Sequence, residues 1–140
     1  MPTILVVEDE QDLHQNYRVQ FEPEGYELSI VTTGEQALEL VDAQPFDCAI
    51  INLMLPGIDG AELARRLRDN PDTEQMPLVV LTAMGEYMGI GFDESDQAWL
   101  PADRILDKSN DKTSLFETVE TLLTEHGGRA PAGKRGGKQL

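Results

Sequence analysis

The chain has a single cysteine, Cys48, among its 140 residues, so no internal disulfide can form. Basic side chains are scarce: 11 Lys and Arg stand against 26 Asp and Glu, for a net charge of −15. Four of those basic residues lie in the segment 127–140, which has no acid, so residues 1–126 stand near −19. A body of that sign repels phosphate backbones, which excludes nucleic acid as its partner. No stretch approaches the roughly 20 apolar residues of a membrane span. The opening M-P-T-I-L-V-V-E-D-E lacks a basic segment, and its apolar run is too short for a secretory signal. A cytoplasmic protein without membrane association is expected. The two histidines, His14 and His126, stand alone and are expected at the surface.

What is present is an alternation of short apolar runs and helical patterns. The length fits one domain able to bury its own core. T-I-L-V-V (3–7), C-A-I-I (48–51) and P-L-V-V-L-T (77–82) are continuous and apolar, as strands covered on both faces would be. Y-E-L-S-I-V (26–31) alternates and reads as an edge strand, and R-I-L-D (104–107) as a short fifth strand. Between them, Leu13, Tyr17 and Phe21 form a helical stripe. Thr33 and Gln36 have capping-box spacing before a helix that buries Ala37, Leu38 and Val41. Gly60 to Asn70 reads as a helix with Leu63, Ala64 and Leu67 inward, stopped by Pro71. Ser114 and Glu117 have the spacing to box the start of a last helix, with Leu115, Val119, Leu122 and Leu123 inward and Gly127 as its stop. Strands alternating with helices predict βαβ units and a mainly parallel α/β sheet. Residues 1–126 are expected to form this domain, and the Gly-rich basic segment 127–140 a disordered tail.

In an open parallel sheet, ligands bind beyond the carboxyl ends of the strands. Glu8, Asp9 and Glu10 follow the first strand, Asn52 ends the third, Thr82 and Ala83 end the fourth, and Asp107 and Lys108 the fifth. Adjacent carboxylates hold their protons more tightly unless a cation lies between them. A hard divalent cation such as magnesium is the natural guest for such oxygens. Lys108 would be the counter-charge, and Thr82 a donor to an anionic group.

The motifs I-L-V-V-E-D-E, L-M-L-P-G-I-D-G, L-T-A and I-L-D-K, in this order and at this spacing, resemble the receiver domain of bacterial two-component response regulators. The resemblance covers residues 3 to about 126. It implies a flavodoxin-like, doubly wound (βα)5 fold with strand order 2-1-3-4-5, and a non-enzymatic role in phosphorelay signalling. In that family an aspartate at the position of Asn52 accepts phosphate from a histidine kinase. Glu8, Asp9, the Asn52 side chain and the Met54 backbone carbonyl would hold magnesium. Thr82, Ala83, Ile105 and Lys108 stand at the phosphoryl-binding and switch positions.

Asn52 departs from that pattern at the reacting atom. Acyl phosphate formation needs a carboxylate oxygen as nucleophile. An amide fits the space but does not supply that oxygen, and it binds magnesium weakly or not at all. A natural pseudo-receiver and an ordinary receiver silenced by an introduced Asp-to-Asn change both fit the substitution. In a third account Asp9 or Glu8 accepts the phosphate. Two further departures are Ile105, where the family usually has an aromatic, and Ser109, where it usually has proline after the lysine. A trans bond is therefore expected between Lys108 and Ser109.

Other residues carry plainer readings. Cys48 is expected in the core, Trp99 over the sheet edge, and Arg65, Arg66 and Arg68 on a solvated helix face with Glu62–Arg66 and Arg65–Asp69 pairs. Met84, Tyr87, Met88 and Phe92 would form a partner surface if exposed. A stand-alone receiver, without an output domain after residue 126, is expected, acting by binding through residues 83–126. The partner would be a sensor histidine kinase, another signalling protein or a second copy. Two rivals remain: a flavodoxin-like flavin-binding electron carrier, which E-D-E-Q-D after the first strand would repel, and a magnesium-dependent phosphohydrolase using Asp9.

Overall fold

The computed structural model describes residues 2–82, 101–107 and 112–125. Its strands are β1 (Thr3–Val7), β2 (Glu27–Val31), β3 (Cys48–Asn52), β4 (Leu78–Thr82) and β5 (Arg104–Asp107). Its helices are α1 (His14–Phe21), α2 (Gly34–Ala43), α3 (Gly60–Asp69) and α4 (Lys112–Glu125). All pairings are parallel and the strand order is β2-β1-β3-β4-β5. This is the expected flavodoxin-like order, with the alternating Glu27–Val31 run at an edge.

The continuous apolar runs are explained by cores on both faces of the sheet. Because successive strand residues point to opposite faces, Leu5, Val7, Ala49, Ile51, Leu78 and Val80 pack with α2 and α3 through Ala37, Val41, Leu63, Ala64 and Leu67. The residues between them, Ile4, Val6, Cys48, Ile50, Val79 and Leu81, pack with α1 and α4 through Tyr17, Phe21, Leu115, Val119 and Leu122. The chain's direction across the sheet reverses after β2, and its helices change face there, as a constant crossover hand requires. Phe21, Tyr26 and Phe116 meet with ring centroids 5.4–5.6 Å apart, joining α1, the approach to β2, and α4.

Local chemistry places the ends. Thr33 caps α2 by accepting from Gln36 N at 3.1 Å. The Gln36 side chain reaches back one residue further than the spacing suggests, accepting from Thr32 N at 2.9 Å. Asp59 caps α3 through Glu62 N at 2.9 Å. Helix α4 spans Lys112–Glu125, so Ser114, expected at its start, lies within it.

The basic cluster on α3 divides. Arg66 and Arg65 both bind Glu62, at 2.8 and 2.6 Å, so Arg65 faces Glu62 and not the expected Asp69. Arg68 leaves the solvated face. It donates to Met76 O at 2.6 Å and to the Asp103 carboxylate at 2.7 Å, and the same carboxylate oxygen accepts from Leu78 N. Cys48 is fully buried, as expected, and burial pushes its thiol well up from the ordinary value. The expectations for Ala83, Met84, Tyr87, Met88, Phe92, Trp99, Lys108, the bond to Ser109, His126 and the segment 127–140 lie outside the described residues.

Candidate functional site

The register builds the rim. Val7 pairs with Ile51, so Glu8 and Asn52 are the next neighbours outward, and Glu8 N donates to Val31 O at 3.0 Å, continuing the ladder past β1. Asn52 pairs with Leu81, and Thr82 with Asp107. The ends of β1 and β3 thus bring Glu8, Asp9 and Asn52 together. Thr82 closes β4 one residue further along, and it is buried. Ile105 sits in β5, half-buried against the α2–α3 side of the core.

Glu8 has no solvent exposure. A buried carboxylate requires partners, and it has them. Tyr17 Oη donates to Glu8 Oε1 at 2.8 Å, while Glu10 N and Asn52 Nδ2 donate to Oε2 at 3.2 and 3.3 Å. Burial, then the charge of Glu8, pushes the Tyr17 phenol far above its ordinary value, so it remains a donor. His14, half-buried, has Nε2 at 2.8 Å from the Glu8 carbonyl oxygen. A carbonyl only accepts, so this nitrogen carries the proton. His14 is therefore part of the site's frame, contrary to its expected surface role.

The Asn52 side chain faces three acceptors. Its Nδ2 lies 2.9 Å from Asp9 Oδ1, 3.0 Å from Met54 O and 3.3 Å from Glu8 Oε2. Because all three are oxygens without a hydrogen to give, the network sets the nitrogen inward and the amide oxygen away. Two carboxylates and a peptide carbonyl converging on one point are hard oxygen donors of the kind that hold magnesium. The Glu8, Asp9 and Met54 oxygens fit that cation, but the Asn52 amide nitrogen stands where they converge.

The loop that carries Met54 is held from three sides. Gly57 takes φ +75°, a region that disfavours side chains, to turn the chain after Pro56. Glu35, at the start of α2, accepts from Ile58 N at 3.3 Å. Gly60 lets α3 approach β3: a Cβ there would lie 2.5 Å from Asn52 O and 2.7 Å from Leu53 Cα.

Sequence reasoning names Glu8, Asp9, Asn52 and Met54, and the fold brings these four together. It does not find Tyr17 or Glu35. Tyr17 is hidden in its apolar stripe, where its ring packs as expected while its hydroxyl serves Glu8. The only signal in the sequence is that a buried tyrosine needs a partner for its O–H. Glu35 contacts the loop across 23 positions, and no local pattern marks it.

A family model for the response regulator receiver domain matches residues 4–120. The chain is 45% identical over 87 residues to the phosphate regulon transcriptional regulatory protein PhoB of Rhizobium meliloti, covering 61% of this chain and 38% of that protein. It is 33% identical over 123 residues to the response regulator ArlR of Staphylococcus saprophyticus, covering 88% of this chain and 53% of that one. The chain thus spans about half or less of these curated relatives. Among solved structures, the response regulator TrrA of Thermotoga maritima, in complex with Mg2+ and BeF, is 32% identical with a TM-score of 0.75, covering 88% of this chain and all of that one. TrrA is also solved in complex with the histidine kinase ThkA. With its order β2-β1-β3-β4-β5 and the match across residues 4–120, the chain belongs to the response regulator receiver domain family of two-component signalling.

Proposed function

We propose that this receiver domain signals by protein–protein binding without taking phosphate, because Asn52 occupies the phosphoacceptor position. The observation that carries this reading is the Asn52 side chain itself: an amide at the end of β3, its nitrogen turned onto Asp9, Glu8 and the Met54 carbonyl. An amide nitrogen's lone pair is delocalised, and its oxygen bears no full charge, so neither atom attacks phosphorus as a carboxylate does. That chemistry supports a pocket that keeps its shape and lacks the reacting oxygen.

The residues divide by role in this reading. Glu8, Asp9 and the Met54 carbonyl, with the Asn52 amide oxygen when it faces them, would hold magnesium, weakly. A bound cation would neutralise charge on phosphoryl oxygens. Tyr17 and His14 hold Glu8, by its carboxylate and its carbonyl, in place beneath the rim. Thr82, Ala83, Ile105 and Lys108 keep the phosphoryl-binding and switch positions. Residues 1–126 form the receiver and 127–140 a basic tail. A cytoplasmic location and a face within residues 83–126 go with the reading. TrrA's complex with a histidine kinase supports a kinase as the partner, with another signalling protein or a second copy as the alternatives.

The test is incubation with acetyl phosphate and magnesium, followed by intact-mass measurement. The wild-type chain is expected to stay at its own mass, and Asn52→Asp to gain one phosphoryl group. A stable phosphoryl adduct on the wild-type chain would refute phosphate independence.

A further inference from the structure

Three oxygens of the rim, on Asp9, Met54 and Glu8, aim at a single atom, and that atom is a hydrogen-bond donor. Magnesium held by such oxygens would need the space on which they converge. The Asn52 N–H groups point into that same space, and their positive ends would face the ion. An inward amide nitrogen and a bound cation therefore exclude each other.

Glu8 cannot move aside to relieve the conflict. Its other oxygen is held by the buried Tyr17 hydroxyl at 2.8 Å, and its Oε2 also accepts from Glu10 N. Asp9, by contrast, is exposed and takes the shortest of the three amide contacts.

We propose that the Asn52 amide is the resident occupant of the cation seat. Its two N–H groups tie Asp9, Glu8 and the Met54 carbonyl together without a metal. A divalent cation enters only when the amide turns over and presents its oxygen. The pocket is then assembled at all times, and its shape does not follow magnesium concentration. The inference deepens the phosphate-independent reading and rests on it for the place of Asn52, but its test contains no phosphate donor, so the two fail separately.

The experiment compares the full chain in EDTA and in millimolar MgCl2 at equal ionic strength, by thermal unfolding and by NMR of 15N-labelled protein. In the wild type the melting temperature is expected to be the same in both. The two Asn52 side-chain amide signals are expected to persist and not to shift. Asn52→Asp loses the donors and adds a charge, so it should melt lower in EDTA. Magnesium should raise its melting temperature, with an apparent affinity about tenfold or more tighter than the wild type's. Asn52→Ala should be less stable than wild type in EDTA and should recover partly with magnesium, since its seat is open. Wild-type stability rising with magnesium as steeply as that of Asn52→Asp would overturn the proposal. So would wild-type amide signals that shift at the same magnesium concentration, or an Asn52→Ala chain as stable as wild type in EDTA.

Discussion

Tyr17 shows how one atom can set the state of a site. Its ring is core, but its hydroxyl completes the shell of a carboxylate with no access to water. Removing the hydroxyl with Tyr17→Phe leaves a buried acceptor short of a donor, and is expected to cost about 1–3 kcal/mol in urea unfolding. Gly60 is constrained from the other side. In Gly60→Ala the new methyl would meet backbone atoms of Asn52 and Leu53 at 2.5 and 2.7 Å, so α3 must shift, at about 1–3 kcal/mol; a Gly60→Ala chain as stable as wild type would contradict this packing. Cys48 and Tyr17 also set an alkaline limit. Both hold their proton more tightly in the folded chain than in the unfolded one, chiefly through burial. Their contribution is complete below the unfolded values of 9.0 and 10.0, and is lost as pH rises past each. Unfolding free energy should fall by about 1.4 kcal/mol per pH unit once Cys48 alone is in play, and more steeply above the tyrosine value. Urea titrations at a series of alkaline pH values measure the slope, and Cys48→Ala should remove its first part.

At the scale of elements, the apolar runs were legible because a strand buried on both faces has no polar alternation to confuse the reading. The cores on either side of β1, β3 and β4 are the physical counterpart of those runs. Helix α3 was legible from its stripe and its proline stop, and it ends at Asp69 as that stop requires. What was not legible is where its arginines go. Arg65 and Arg66 stay on the solvated face, where their hydrogen bonds, Arg66's foremost, hold the Glu62 carboxyl below the usual carboxylate range. Arg68 instead straps α3 to the chain before β4 and to Asp103 before β5. That partner lies 35 positions away, so spacing on the helix could not reveal it. The caps give a plain test: Thr33→Ala should lower stability by about 1 kcal/mol through loss of the Gln36 N–H acceptor. A thermal melt unchanged by that substitution would show that the cap contributes nothing.

For the whole molecule, charge is the dominant long-range term. A net charge of −15 repels itself in the folded state, where the acids are closest together. Raising salt from about 0.01 M to about 0.15 M shortens the screening length from about 30 Å to about 8 Å. The urea midpoint is therefore expected to rise over that range, and a midpoint that falls would mean that screened ion pairs outweigh the repulsion. No helix among the described residues is long and apolar enough to cross a membrane. The receiver family was readable at this scale from four short motifs in order, each standing at the end of a different strand. The sequence by itself determined which segments become strands, which helices cover them, and that acids and an amide stand at strand ends, since periodicity and burial are local properties. Only the tertiary structure decided that the Asn52 amide points its nitrogen onto Glu8, Asp9 and Met54, and that Tyr17 locks Glu8 from below. Glu8 and Asn52 are 44 positions apart and Glu8 and Tyr17 nine, so their hydrogen bonds exist only once register and helix packing have set the distances.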